Sequence, residues 1–149
     1  MKALPHPYFD SGILIKLYIR ERNSADAIKL ITPFSCLPFN RLHELEITNT
    51  FHTLAGRGLI TVVQRVTAEH HLASDLASGR LSRQEPDWLH LFQDALDLAR
   101  QFSTTALARS LDILHVATAI AVKADIFITA DKRQYDLAMQ TGLECQYLT

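Results

Sequence analysis

Short apolar runs that alternate with longer stretches of helical periodicity are the feature that most constrains the fold of this sequence. Strand-like runs occur at Tyr8-Phe9, over residues 34–39 and over residues 124–129, and helical patterns separate them. Strands that alternate with helices form βαβ units around a parallel sheet. We therefore predict an α/β domain in which a central, mostly parallel sheet lies between two layers of helices.

The helical patterns predict where the helices begin and end. We expect helices over residues 11–20, from after Asn40 to near Gly56, over 59–76, from after Pro86, over 111–122 and over 135–140, and a last edge strand over 144–148. Residues 111–122 are apolar on almost every side, which predicts a helix buried on most sides. In the helix after Pro86, the apolar stripe is formed by Trp88, Leu89, Phe92, Leu96 and Ala99.

Bulk properties limit the domain organisation and the class of protein. A chain of 149 residues, 48% of them hydrophobic and without a segment dominated by Pro, Gly or Ser, is expected to form a single domain over residues 1–149. Prolines and charges interrupt the first 20 residues, so we expect no leader or membrane span and a cytoplasmic protein. Cys36 and Cys145 lie far apart, which argues against a zinc site or disulfide framework and favours buried, inert thiols.

Four acidic residues fall where an α/β sheet builds its site. Asp10 directly follows the first strand, and Asp131 follows the strand that ends at Thr129. Asp112 and Glu46 lie early in two helices that are expected to begin at the same edge. Open α/β sheets bind ligands at the carboxyl ends of their strands. We therefore expect these carboxylates to line one cleft.

Carboxylates brought together in this way predict a metal-dependent hydrolase. Like charges in a partly dehydrated cleft repel one another, and a bound cation is the simplest reason to place them together. Oxygen ligands without cysteine or paired histidines suit Mg²⁺ or Mn²⁺. A divalent ion held by carboxylates activates water for attack on a phosphodiester. Phosphodiester hydrolysis is therefore the chemistry that these residues favour.

Three segments also resemble a known family, in the right order and over nearly the whole chain. Residues 10–18 (DSGILIKLY), 110–119 (SLDILHVATA) and 127–134 (FITADKRQ) are similar to the main blocks of PIN domains, especially VapC-like toxins. The resemblance implies a PIN-like α/β/α fold and a Mg²⁺- or Mn²⁺-dependent endoribonuclease. It also implies that Asp10, Asp112 and Asp131 take the family's acidic positions and that Thr129 takes the hydroxyl position.

The fourth acid is Glu44 or Glu46. The two residues are about 200° apart around a helix, so only one of them faces the cleft, and the apolar residues that flank both do not decide which. The segment from Glu46 to Phe51 resembles the family's glutamate more closely, and on that resemblance we assign Glu46 as the fourth ligand.

The expected binding partners are inferred from the resemblance to PIN domains rather than from the composition of the chain. A net charge of −1 gives no global attraction to RNA, so contacts to phosphate must be local. Candidate cations are Lys16, Arg20, Arg22, Lys132 and Arg133. The resemblance implies an RNA substrate, a homodimer and a cognate antitoxin in a type II toxin-antitoxin pair.

Two further sequence features bear on the function. His115 lies one turn after Asp112, and we expect a packed core histidine there, because Mg²⁺ sites prefer oxygen. The alternative function is a non-catalytic PIN-like module that binds RNA or protein. Such a module can lose an acid, whereas all four acidic positions are filled here. A phosphatase with an aspartyl nucleophile is disfavoured, because Gly12 stands where its second acid is needed.

Overall fold

One or two helices separate each strand from the next along the described chain. The structure, a computed structural model, describes residues 3–149. Within them the strands are β1 (Pro7–Phe9), β2 (Leu37–Phe39), β3 (Leu81–Arg83), β4 (Ile126–Thr129) and β5 (Cys145–Tyr147). The helices are α1 (Ser11–Ile15), α2 (Ser24–Ile31), α3 (Arg41–Gly56), α4 (Val62–Ser78), α5 (Trp88–Ala106), α6 (Ser110–Ala121) and α7 (Lys132–Gln140).

Every strand pair in the sheet is parallel. Hydrogen bonds join β1, β4 and β5 in that order, with Phe9 opposite Ile128, and join β2 to β3 as a second ladder. The ladders meet where β2 lies beside β1. The chain leaves β1 toward β2 on one side and later returns to β4 on the other. The carboxyl ends of β1 and β4 therefore flank a topological switch point, where ligands bind in open α/β sheets.

Successive side chains of the central strands enter two separate cores. Phe9 and Ile128 pack against α1, α2, α3 and α4, whereas Tyr8 and Phe127 pack against α5, α6 and α7. This alternation follows from the two-residue period of a strand, and both faces are apolar because both are covered. The predicted fold class, a parallel sheet between two helical layers, is confirmed.

Local signals set several helix ends as predicted. The side chain of Asn40 caps α3 by accepting hydrogen bonds from the amides of Leu42 and His43 at 2.9 and 3.1 Å. Helix α4 stops at Gly79, which adopts a left-handed conformation with φ of 81°. Helix α6 buries seven residues, in agreement with its apolar surface.

Other boundaries differ from the predictions. Helix α1 ends at Ile15 rather than Arg20, because the chain tightens into successive turns in which the Leu17 and Tyr18 amides donate to carbonyls three residues back, at 3.0 and 2.9 Å. The second strand is shorter than 34–39, and α4 and α7 begin at different residues from those expected. Helix α2 and strand β3 were not predicted.

Two expectations about burial are wrong. Leu89 in α5 is 90% exposed, and Phe92 and Leu96 are also exposed, whereas Leu91 and Ala95 face the core. The thiols are not both buried: Cys36 is exposed and Cys145 is half-buried.

The helices also bear on membrane insertion. Within residues 3–149, no helix combines the length and the apolar character that crossing a membrane requires.

Candidate active site

A cleft of about 550 Å³ opens at the carboxyl edge of the sheet, beside the switch point. The four acidic residues that the sequence singled out line it together: Asp10, Glu46, Asp112 and Asp131. They come from the end of β1, from α3, from α6 and from the loop after β4. Segments that are distant in the chain therefore meet here because the parallel strands end at one edge.

Asp10 lies at the bottom of the cleft and is 2% exposed. One carboxylate oxygen accepts a hydrogen bond from the Ile13 amide at 2.8 Å and caps α1, and the other accepts one from the Thr129 hydroxyl. Burial raises the pKa of Asp10 above its ordinary value, and these two hydrogen bonds offset only part of the rise. A side chain on Gly12 would place its Cβ 3.4 Å from Asp10 Oδ1, in van der Waals contact with the carboxylate.

Thr129 joins two of the acids. Its buried hydroxyl donates to Asp10 and accepts the Asp131 amide at 2.9 Å. Asp131 in turn caps α7 by accepting hydrogen bonds from the amides of Arg133 and Gln134 at 2.8 and 3.4 Å. Thr129 thus orients both Asp10 and the backbone that carries Asp131.

Asp112 is buried in the first turn of α6 and has two donors. It accepts hydrogen bonds from the Arg109 amide at 2.9 Å and from Gln134 Nε2 at 3.0 Å. Among residues 3–149, nothing donates to Gln134 Oε1 although the atom is buried. Gln134 also lines the cleft, and its Nε2 links Asp112 on α6 to the start of α7.

Glu46 and Glu44 occupy different environments. Glu46 lines the cleft with its side chain 24% exposed, and its Oε1 accepts hydrogen bonds from Ser11 Oγ at 2.8 Å and from His115 Nε2. Burial raises the pKa of Glu46, but the hydrogen bond and charge interaction with His115, together with the hydrogen bond from Ser11, hold the pKa below its ordinary value. Glu44 is 44% exposed and pairs with Arg83 outside this cleft. Of the two, only Glu46 lines the cleft.

Three supporting residues were not assigned to the site from the sequence. Ser11 follows Asp10 directly, His115 was expected only to pack in the core, and Gln134 lies three residues after Asp131. Each donates a hydrogen bond to one of the acids. The spacing of Ser11 and Gln134 from an acid was visible, but the partner of each residue depends on how the helices pack.

The basic residues are arranged differently from the sequence hypothesis. Lys16 lines the cleft and pairs with Glu21 at 3.1 Å. Lys132 pairs with Asp136 at 2.6 Å, and the cleft lining does not include it or Arg20, Arg22 and Arg133. Arg109, which was not predicted, lines the cleft and, within residues 3–149, forms no salt bridge.

The arrangement resembles a solved structure at the level of the fold. The chain is similar to FitAcB from Neisseria gonorrhoeae, with a TM-score of 0.66 and 12% sequence identity over 93% of this chain and 95% of that chain. No family model matches the sequence, and no curated protein matches it either. The likeness shows the fold, and the chain has the α/β/α architecture that the resemblance to PIN domains implies.

The donor set of the cleft suits a hard cation with an open coordination shell. Within residues 3–149, no three Asp, Glu, His or Cys side chains are grouped closely enough to enclose one ion. The cleft nevertheless has four carboxylates among its lining residues, and all of them are oxygen donors. Mg²⁺ keeps several of its waters and takes one or two carboxylates together with substrate phosphate. The residues fit that mode of binding.

Proposed function

We propose that the chain is a Mg²⁺- or Mn²⁺-dependent endoribonuclease that hydrolyses RNA phosphodiester bonds. The observation that carries the proposal is the convergence of Asp10, Glu46, Asp112 and Asp131 on one cleft at the switch point of a parallel sheet. In the proposed site these four residues hold the metal, and Thr129 supports them. The bound ion would supply activation of water and stabilisation of the leaving oxygen.

The chain's own residues hold each carboxylate in place before substrate binds. Asp10 is oriented by Ile13 and Thr129, Glu46 is oriented by Ser11 and His115, and both carboxylates line the cleft. Such preorganisation removes the need to reorient the ligands during the reaction. During hydrolysis, water adds to phosphorus, the bond to the leaving ribose oxygen breaks and a proton moves from the water to that oxygen.

The basic residues at the cleft are proposed to bind the RNA backbone. Arg109 is exposed at the start of α6 and Lys16 faces the cleft beside Glu21. A cation next to the acidic site compensates the charge of an incoming phosphate, which the carboxylates would otherwise repel. We therefore assign Arg109 to substrate binding rather than to hydrolysis.

The biological setting is proposed from the sequence resemblance to VapC-like toxins. In that setting the chain is the toxin of a type II toxin-antitoxin pair and forms a homodimer. Light scattering on the purified protein tests the dimer. Co-purification with the product of an adjacent small gene that encodes a DNA-binding protein tests the antitoxin, and growth arrest on expression of the chain alone tests the toxin.

Cleavage of mixed RNA by the purified protein tests the activity. We expect cleavage with Mn²⁺ or Mg²⁺, none in EDTA, and a loss of roughly two orders of magnitude or more in Asp10→Asn. Glu44→Gln is the matched control, because Glu44 lies outside the cleft. Cleavage that continues unchanged in EDTA contradicts the metal mechanism. RNA binding without cleavage under any of these conditions instead supports the non-catalytic module.

A further inference from the structure

A group of polar aromatic and amide side chains is buried directly beneath the cleft. Tyr8, Asn40, His43 and His115 are each no more than 1% exposed. None of them lines the cleft, and of the four only His115 contacts a proposed metal ligand, Glu46. Burying polar groups is unfavourable unless they are hydrogen-bonded to one another. Their arrangement therefore needs an explanation beyond packing.

These side chains form a hydrogen-bonded path that ends on Glu46. Asn40 Nδ2 donates to the Tyr8 hydroxyl at 3.2 Å, and the Tyr8 hydroxyl lies 2.8 Å from His115 Nδ1. The other ring nitrogen of His115 contacts Glu46 Oε1 and lies 3.2 Å from Ser11 Oγ. The path thus runs from the end of β2, through β1 and α6, to the carboxylate on α3.

The direction of the hydrogen bonds follows from the chemistry of the groups. An ionised carboxylate only accepts, so His115 carries a hydrogen on Nε2 and donates it to Glu46. The Tyr8 hydroxyl accepts from Asn40 Nδ2 and has a hydrogen and a second lone pair left, so it bridges Asn40 and His115 Nδ1. His115 is thus held at Nδ1 while its Nε2 contacts Glu46.

His43 anchors the opposite end of the path. The backbone N–H of Asn40 donates to His43 Nδ1 at 3.1 Å, and His43 Nε2 donates to the Phe9 carbonyl at 2.7 Å. Burial lowers the pKa of His43 to about 3, so this ring is neutral and accepts at Nδ1. Asn40 is thereby fixed by α3 as well as by its partner on β1.

We propose that His115, held by Tyr8 and Asn40, is a positioning residue that aims the Glu46 carboxylate at the divalent cation. The inference rests on the proposed metal-dependent function. The path reaches the cleft at Glu46 and at Ser11, which also holds Glu46, and His115 limits the rotation of Glu46 by holding Oε1. Residues that orient a metal ligand in this way commonly change metal affinity by about 10–100-fold when they are replaced.

Binding of Mn²⁺ to the purified protein, measured by calorimetry without RNA, tests the proposal. We expect His115→Leu to raise the dissociation constant about 10–100-fold. His115→Gln should restore most of the affinity, because its amide N–H reaches the position of Nε2. Tyr8→Phe should raise the constant less than His115→Leu does, because it removes the hydrogen bond to Nδ1 and leaves the one to Glu46.

A second histidine-glutamate pair in the same fold provides the control. His52 on α3 contacts Glu69 on α4 at 2.6 Å, and neither residue lines the cleft. His52→Leu should therefore leave Mn²⁺ binding unchanged. If a thermal melt shows that His115→Leu does not fold, the Mn²⁺ affinities of His115→Gln and Tyr8→Phe are compared with that of the parent instead.

A double-mutant cycle separates positioning from general damage. If His115 acts through Glu46, His115→Leu should add little to the loss of Mn²⁺ affinity in Glu46→Gln. In ¹⁵N NMR of the parent, His115 should show a hydrogen on Nε2, the nitrogen that contacts Glu46. Additive losses, an Nε2 without a hydrogen, or parent-like Mn²⁺ binding by His115→Leu would each overturn the proposal.

Failure of the proposed function gives a different pattern. Parent protein that binds Mn²⁺ but does not cleave RNA contradicts the nuclease and leaves the positioning role supported by the binding data. Parent protein that binds no Mn²⁺ overturns the positioning role together with the metal site.

Discussion

Replacing Thr129 by valine should destabilise the protein through the loss of one hydroxyl that serves two partners. Valine keeps the branched shape but lacks the hydroxyl group. Asp10 Oδ2 then loses its donor, and the Asp131 amide loses the acceptor that lies 2.9 Å away. Asp131 is only half-buried, so water can satisfy its amide. The loss at the buried carboxylate of Asp10 therefore dominates.

The size of the effect follows from the charge of the acceptor. A hydrogen bond to a charged group contributes about 1.5–3 kcal/mol, so we expect a loss of about 2 kcal/mol at pH values where Asp10 is ionised. For a domain of this length, that corresponds to a fall in Tm of about 4–8 °C. Thermal melts in EDTA measure it. Thr129→Ser is the matched control, because it keeps the hydroxyl and loses only a methyl group, about 1 kcal/mol.

The pH dependence identifies Asp10 as the cause. Burial raises the pKa of Asp10 above 3.8, so its ionised form costs stability above the folded-state pKa, and that cost disappears as the pH falls toward 3.8. A protonated Asp10 needs the Thr129 donor less than an ionised one does. The difference in stability between Thr129→Val and Thr129→Ser should therefore be largest at pH values where Asp10 is ionised. It should shrink as the pH falls and Asp10 becomes protonated. Equal melting of the two variants at neutral pH, or a deficit independent of pH, would refute this reasoning.

Other perturbations test the same site from different directions. Asp10→Asn should melt at or above the parent temperature in EDTA, because it removes a buried charge. Added Mg²⁺ should raise its melting temperature little. A melting temperature well below that of the parent in EDTA would contradict this. Glu46→Gln should reduce RNA cleavage far more than Glu44→Gln, and equal losses would count against the assignment. Arg109→Ala should weaken RNA binding and reduce the slope of the log binding constant against log salt concentration by about one. Arg133→Ala is the control, and equal effects of the two substitutions would refute the role of Arg109.

The placement of the acids was predictable because it depends on simple geometry. Asp10 and Asp131 follow apolar strands, and the carboxyl ends of parallel strands share an edge whatever the details of packing. Helix α6 was predictable for a related reason, since a segment that is apolar on all sides has to be buried. The choice of Glu46 over Glu44 needed the family resemblance, because apolar neighbours flank both residues. In the structure, only Glu46 lines the cleft.

The missed elements carried too little pattern to be detected. Strand β3 has only three residues, and only Leu81 among them is buried. Its residues pair in parallel with those of β2, Leu81 with Leu37 and Arg83 with Phe39, and three residues are too few to predict that pairing. The prediction for helix α5 was wrong for the opposite reason, because its apolar pattern was regular. The stripe that contains Leu89 and Phe92 is exposed, whereas Leu91 and Ala95 are buried in the core. Periodicity shows that a helix has an apolar face, but not which face its neighbours cover.

The supporting residues depended on tertiary structure alone. His115 and Glu46 are 69 residues apart in the chain, and their contact exists because α6 and α3 approach the same edge. No local pattern distinguishes such a histidine from a packed one. Arg109 was missed for a similar reason, since its position at the cleft follows from the chain entry into α6.

Capping and metal binding make compatible demands on the same aspartates. Asp10 and Asp131 accept amide hydrogen bonds at the starts of α1 and α7, and Asp112 accepts one at the start of α6. Helix N-termini carry partial positive charge, which offsets part of the repulsion between the clustered carboxylates. A cap needs an acceptor oxygen rather than a full charge, so asparagine preserves it, whereas loss of the carboxylate charge weakens the binding of a divalent cation. Asparagine at Asp10 or Asp131 therefore separates the two roles, while alanine would remove both.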